Sequence, residues 1–184
     1  MKRDDLYAPI RPLFEQGLIN HFRDIFQYVT VSVFAADLGK KTDRFKELVE
    51  QVDQFTVEEI VLMASHVHLS LGEMIQLIIK DYPVVTPPPG EKNSLYKAVR
   101  AMYDQGKVQS FSEIFKYIRV AIVAKDIKKN RSRLAVSIRS GIKKFPLKTL
   151  VAIGNLCNLT LTETLKLVET EYIKQTQKKS LSSE

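Results

Sequence analysis

The sequence predicts an all-α protein made of two tandem bundles, each of five to six helices, produced by an internal duplication. Three observations lead there. Shifting the chain by 89 or 90 places lays one half over the other. Within each half, apolar residues recur at helical spacing. Four Ser/Thr-x-x-Glu signatures mark helix starts.

The duplication is read directly from the residues. At a shift of 89, "LYAPIRPLFEQGLINHFRDIFQYVTVSVFAADLGKKTDRF" lies over "LYKAVRAMYDQGKVQSFSEIFKYIRVAIVAKDIKKNRSRL". Identical pairs include Tyr7/Tyr96, Gly17/Gly106, Phe22/Phe111, Ile25/Ile114, Asp37/Asp126 and Arg44/Arg133. At a shift of 90 the pairs Phe55/Phe145, Glu73/Glu163, Leu77/Leu167 and Tyr82/Tyr172 follow, so the second copy carries one inserted residue. The expected organisation is repeat one over 1–83, a Pro-rich linker over 84–94, repeat two over 95–172 and a polar tail over 173–184.

Each copy opens on a helix around Tyr7–Gly17 or Tyr96–Gly106, closed by a glycine suited to the left-handed end of a helix. Then "HFRDIFQYV" puts Phe22, Ile25, Phe26 and Val29 on one stripe, as "SFSEIFKYI" does with Phe111, Ile114, Phe115 and Ile118. Tyr28 and Tyr117, like Phe26 and Phe115, are expected in the core. "FAADLGKKTDRFKEL" reads as two short helices bent at Gly39. Helix starts are marked at Thr56–Glu59 and Ser70–Glu73 in copy one, and at Ser110–Glu113 and Thr160–Glu163 in copy two. The proline run in "PVVTPPPGEKNS" predicts an extended, semi-rigid spacer. The end, "TQKKSLSSE", is polar and expected to fray.

The bend at Gly39 has the requirements of a helix-turn-helix. That unit needs a small residue where its helices touch, a turn residue tolerant of positive φ, and apolar anchors under the second helix. Ala35 is the small residue, Gly39 the turn, and Phe34, Leu38, Phe45 and Leu48 the anchors. Copy two places Val123, Ala124, Ile127 and Leu134 in the matching slots, with Lys128 for the glycine and Ser137 for the last anchor. Ile138 takes that anchor role if the insertion shifts the helix end. A lysine at positive φ costs about a kilocalorie, which predicts a slightly different turn in copy two.

"VAKDIKKNRSRLAVSIRSGIKKFPLKTLVAIGNLCNLT" resembles the core of the lambda-repressor-like (Cro/repressor) family, and the resemblance extends over roughly 20–82 and 109–172. It implies an all-α five-helix bundle and sequence-specific DNA binding, often in a transcriptional regulator. The chain departs from the family's pattern at Lys40 and Lys129, where that pattern is usually apolar, and in the leading helix of each copy.

Charge distinguishes the copies. Residues 1–84 hold 9 Lys and Arg against 13 Asp and Glu, a net −4, whereas 85–184 hold 19 against 8, a net +11. In the family's arrangement the outward face of the second helix meets base edges and its flanks meet phosphates. In copy two that face carries Asn130, Arg131, Ser132, Ala135, Val136 and Arg139. Arg131 suits guanine, Asn130 adenine, and Ala135 or Val136 a thymine methyl. Lys125, Lys128, Lys129, Arg133, Lys143, Lys144 and Lys148 are the expected phosphate contacts. The matching face of copy one carries Lys41, Thr42, Asp43, Lys46, Glu47 and Glu50, whose three carboxylates oppose a polyanion.

Other chemistry finds little support. His66 and His68, two apart, diverge by about 200° on a helix and cannot share a metal easily; His66 is expected inward and His68 near a helix end. Cys157, the single cysteine, reads as a small buried apolar residue and allows no internal disulfide. No catalytic constellation or phosphate-cradling glycine loop is present. No apolar run approaches the roughly 18–20 residues that cross a bilayer, and "MKRDDLYAPIRP" lacks a secretory core. The expectation is a cytoplasmic, non-enzymatic regulator without cofactor or membrane contact, whose partner is double-stranded DNA. It would act as a homodimer or as an intramolecular pseudo-dimer. The alternative is a helical protein-interaction module whose basic half docks an acidic partner.

Overall fold

The computed structural model describes residues 3–82 and 94–181. The described residues contain helix and turn but no strand. The expected spacer at 84–94 lies outside them except for Ser94, as do the last three residues of the polar tail. The chain divides into two compact units, Met1–Val84 and Val85–Glu184.

In the first unit the order is α1 (Arg3–Tyr7), α2 (Ile10–Glu15), a 3-10 helix (Phe22–Gln27), α3 (Val31–Asp37), α4 (Thr42–Glu50), a 3-10 turn (Val52–Gln54), α5 (Val57–His66) and α6 (Leu71–Asp81). The expected leading helix is broken here. Pro9 cannot donate an amide hydrogen bond and its ring crowds the preceding turn, so the chain breaks at Ala8–Pro9 before α2 begins. The core is aromatic. Phe22, Phe34, Phe45 and Phe55 are all fully buried, Phe34 stacks on Phe45 at 6.2 Å, and Phe22 meets Phe55 edge-on at 5.7 Å.

The second unit runs α7 (Ser94–Asp104), a 3-10 turn (Phe111–Glu113), α8 (Ile114–Tyr117), α9 (Val120–Asp126), α10 (Arg131–Ser140), a 3-10 turn (Ile142–Lys144), α11 (Leu147–Leu156) and α12 (Leu161–Leu181). Its leading helix α7 is continuous, because Ala98 stands where copy one has Pro9. Val123 and Leu134 replace Phe34 and Phe45 in the core, leaving Phe111 against Phe145 at 5.9 Å.

The same polar fastenings recur in both units. Gly17 and Gly106 end the leading segments at φ +72° and +69°. The Arg11 guanidinium reaches Glu73 at 3.0 Å and the His68 carbonyl at 3.3 Å; Arg100 reaches Glu163 at 2.8 Å and the Asn158 carbonyl at 3.1 Å. The Thr56, Ser70 and Thr160 hydroxyls accept from the Glu59, Glu73 and Glu163 amides, and each glutamate returns the bond. Glu113 likewise accepts from the Ser110 amide at 3.2 Å.

Several expectations need correction. Tyr28 and Tyr117 are 43% and 36% exposed rather than buried. The helices before them end there, so the next residue turns inward instead: Val29 and Ile118 are each 2% exposed. The Phe22–Val29 stripe is wound as a 3-10 helix, which brings Phe22 and Ile25 onto one line at i, i+3. The turn of copy two is not different. Lys128 holds φ +54° where Gly39 holds +63°, so lysine bears the left-handed conformation itself. The insertion is absorbed at Gly141, φ +89°, and α10 is one residue longer than α4. Ile138 lines the same small cavity as Phe111, Phe115, Ile142 and Phe145, which gives it the anchor role that Ser137 cannot fill.

The expected polar tail from residue 173 is helical through Leu181, making α12 21 residues long against 11 in α6. "ETEYIKQTQKKSL" contains neither Gly nor Pro, and nothing in it stops a helix. Among the described residues no single helix is long and apolar enough to cross a membrane.

Candidate nucleic-acid interface

The basic face is built on α9, the turn after it, and α10. The turn closes with the Lys129 amide donating to the Ala124 carbonyl at 2.8 Å. Ala124, 1% exposed, is small enough to let the two helices meet there. Leu134 is the buried residue of α10. The opposite face of that helix is left to solvent.

Along that face Arg131, Ser132, Arg133, Val136 and Arg139 are exposed, Ala135 is half-buried, and Val136 is 54% exposed. Lys125, Lys128, Lys129, Lys144 and Lys148 are exposed around it. Among the described residues Arg131, Arg133, Arg139, Lys125, Lys128 and Lys129 have no carboxylate oxygen within 4.0 Å.

Two of the expected contacts also have partners within the second unit. Asn130 is the N-cap of α10, and its side-chain oxygen accepts from the Arg133 amide at 3.1 Å. One lone pair of that oxygen is thereby used to start α10, and the side-chain amide nitrogen keeps its two donors. Lys143 is half-buried with its ammonium 5.0 Å from the Tyr172 ring centroid, a cation–π contact that draws it toward α12. Arg139 turns its Nε back to the Ala135 carbonyl at 3.4 Å, leaving the rest of its guanidinium outward.

The first repeat, on the same framework, pairs several of its cations with its own acids. Lys40 pairs with Glu59 at 2.5 Å, Arg44 with Glu47 at 2.6 Å and Arg23 with Glu50 at 3.3 Å. The acids have been exchanged in copy two: Glu59 corresponds to Thr149, Glu47 to Val136 and Asp43 to Ser132. Lys129 and Arg133, the counterparts of Lys40 and Arg44, therefore stand without the partners their equivalents have. Reading residues alone did not reveal the Lys40–Glu59 pair, although one clue was in view. The Thr56–Glu59 signature has no counterpart at Pro146–Thr149.

The remaining candidates take structural places. His66 stacks on Tyr7 with ring centroids 5.4 Å apart, and His68 sits just past the helix end at φ +59°. Cys157 is fully buried, and burial pushes its thiol up to about 12. Among the described residues no three His, Cys, Asp or Glu side chains are grouped to hold a metal. Comparison with family models, with curated proteins and with solved structures finds no match.

Proposed function

We propose that this chain is a non-enzymatic DNA-binding regulator of lambda-repressor-like type. Its second repeat acts as a helix-turn-helix and lays α10 against duplex DNA. Arg131 and Arg139 meet the groove, while Lys125, Lys128, Lys129 and Arg133 meet phosphates. The first repeat, whose matching face is acidic, serves orientation or dimerisation and stays off the DNA. The observation that carries the reading is the state of the guanidinium groups on α10. They are exposed and, among the described residues, have no carboxylate within 4.0 Å, whereas Arg44 on α4 is bound to Glu47.

Fluorescence anisotropy of a labelled random duplex titrated with the intact chain tests this. Arg131→Ala with Arg139→Ala is expected to weaken binding, and Asp43→Ala in the first repeat to leave it unchanged. Exposed Val136, in the middle of the basic face, favours a second reading in which the chain is a helical protein-interaction module whose basic half docks an acidic partner. Under that reading the chain binds no duplex even at low salt.

A further inference from the structure

The exchange of Glu59 for Thr149 does more than release a lysine. In the first repeat the Glu59 carboxylate has two tasks: it accepts from the Thr56 amide at 2.8 Å and pairs with Lys40 at 2.5 Å. In the second repeat both partners of the first task are gone. Pro146 has no amide hydrogen to donate, and Thr149 has no carboxylate. The start of α11 therefore lacks a side-chain cap; the Thr149 amide donates to the Pro146 carbonyl at 2.9 Å, and the helix dipole directs its positive end into this region.

What replaces the carboxylate is space. A cleft of about 380 Å³ opens between the beginning of α10 and the beginning of α11, a size in the range of small-molecule sites. Lys128, Lys129 and Arg133 line one side, and Pro146 and Thr149 the other. The three cations are exposed and, among the described residues, none has a carboxylate within 4.0 Å. Thr149 is 6% exposed, so its small side chain forms part of the wall. The cleft thus combines two lysines, one guanidinium, an uncapped ten-residue helix and a missing anion.

We propose that this cleft is a seat for a phosphate-class oxyanion, which takes the place that the Glu59 carboxylate holds in the first repeat. Lys129 supplies the charge that Lys40 gives to Glu59. Arg133 adds a planar fork matched to two phosphate oxygens, and the start of α11 adds the positive end of its dipole. The anion is either the phosphate of a free small molecule or a backbone phosphate of a bound duplex. The seat stands whether or not the chain binds DNA.

The test is amide NMR of the intact chain titrated with sodium pyrophosphate, against sodium chloride at matched ionic strength. Saturable shifts are expected at residues 128–133 and 147–149, with none at the matching residues 39–44 and 57–59. Thr149→Glu restores the carboxylate of the first repeat beside Lys129 and is expected to weaken pyrophosphate binding at least tenfold. Lys129→Gln with Arg133→Gln alters only exposed side chains and is expected to do the same without touching the fold. Shifts reproduced by chloride, or spread over lysines of both repeats, would overturn the seat. So would undiminished binding in the folded double variant. Release of a labelled duplex by pyrophosphate beyond the chloride effect assigns the seat to a DNA phosphate. Pyrophosphate binding without such release assigns it to a free phosphate compound. If pyrophosphate binds and duplex DNA does not, the seat survives and the DNA-binding reading falls.

Discussion

The Tyr96 hydroxyl donates to the Asp126 carboxylate at 2.6 Å, and in the other repeat Tyr7 makes the same bond to Asp37 at 2.5 Å. Each bond ties the leading helical segment to the last residue of α9 or α3, directly before the turn that positions the next helix. A carboxylate at the C-terminal end of a helix is unfavourably placed against the helix dipole. The phenol offsets that repulsion and fixes the angle at which the turn begins. Burial first, and the bond to Asp126 second, hold the Tyr96 phenol far above its ordinary titration range. The leading helix thus has a mechanical role.

Removing the Tyr96 hydroxyl tests that role. Tyr96→Phe keeps the buried ring and deletes only the bond. Asp126 is exposed and can take water instead, so the loss should be near the lower end for a charge-assisted bond, about 1–2 kcal/mol. Thermal unfolding followed by circular dichroism should show a lower midpoint for Tyr96→Phe, and Tyr7→Phe a comparable loss in the first unit. An unchanged midpoint would mean that the bond does not restrain the turn.

The left-handed lysine makes the opposite kind of test. Lys128 occupies φ +54°, a conformation that its counterpart Gly39 adopts freely. Lys128→Gly should stabilise the second unit by roughly 0.5–1 kcal/mol through relief of that strain. It should also weaken polyanion binding, because a cation is lost from the basic face. Denaturant melts and duplex titration of the same variant separate the two effects. Backbone strain retained at a charged position would then be the cost of its charge.

Much of this architecture was legible in the residues. The duplication, the capping glutamates and the left-handed glycines at 17, 39 and 106 each follow from strong local rules, and they hold whatever the rest of the chain does. The misreadings arose where local spacing is ambiguous. An asparagine at a helix start can cap the helix, and Asn130 does so through the amide of Arg133. Over six residues apolar spacing does not separate a 3-10 helix from an α-helix, and the turn of the chain after it sent Tyr28 outward. The Lys40–Glu59 pair joins residues 19 apart, and no periodicity announces it.

Close packing between α11 and α12 provides a further test. A Cβ on Gly154 would run into the Thr164 hydroxyl and its methyl. Copy one solves the same crossing with Ala64 and Met74 at the matching positions. Gly154→Ala should destabilise the second unit by about 1–3 kcal/mol through overpacking. Adding Thr164→Ala, which removes the nearest atom, should recover part of that loss. Equilibrium unfolding of the single and double variants measures the coupling, and strict additivity would argue against direct contact.

Acid should loosen the second unit. Burial tends to raise the Glu163 carboxyl, but Arg100 and the Thr160 amide and hydroxyl outweigh it and hold the group below its ordinary value. The Gln109 amide, and after it Lys116, lower Glu113 in the same way. A carboxyl that titrates lower in the folded than in the unfolded chain stabilises the fold above its unfolded value. That stabilisation is lost as pH falls through the folded value. Thermal midpoints should therefore hold from neutral pH to near the ordinary carboxyl value of 4.5 and fall below it. Glu163→Gln should lower the midpoint at neutral pH and flatten its decline in acid. A midpoint independent of pH down to 3 in the parent chain would contradict this.

The central claim is that α10 presents free positive charge to a nucleic acid, and the salt dependence of duplex binding by the intact chain measures it most directly. Between about 50 and 200 mM salt, log affinity should fall linearly with log salt at a slope of about −3.6, as expected for the four phosphates met by Lys125, Lys128, Lys129 and Arg133. Replacing both Lys129 and Arg133 by alanine should reduce the slope by about two, and replacing both Arg131 and Arg139 should lower affinity. Absence of duplex binding at about 50 mM salt, a slope that survives loss of Lys129 and Arg133, or an affinity that survives loss of Arg131 and Arg139, would contradict the claim.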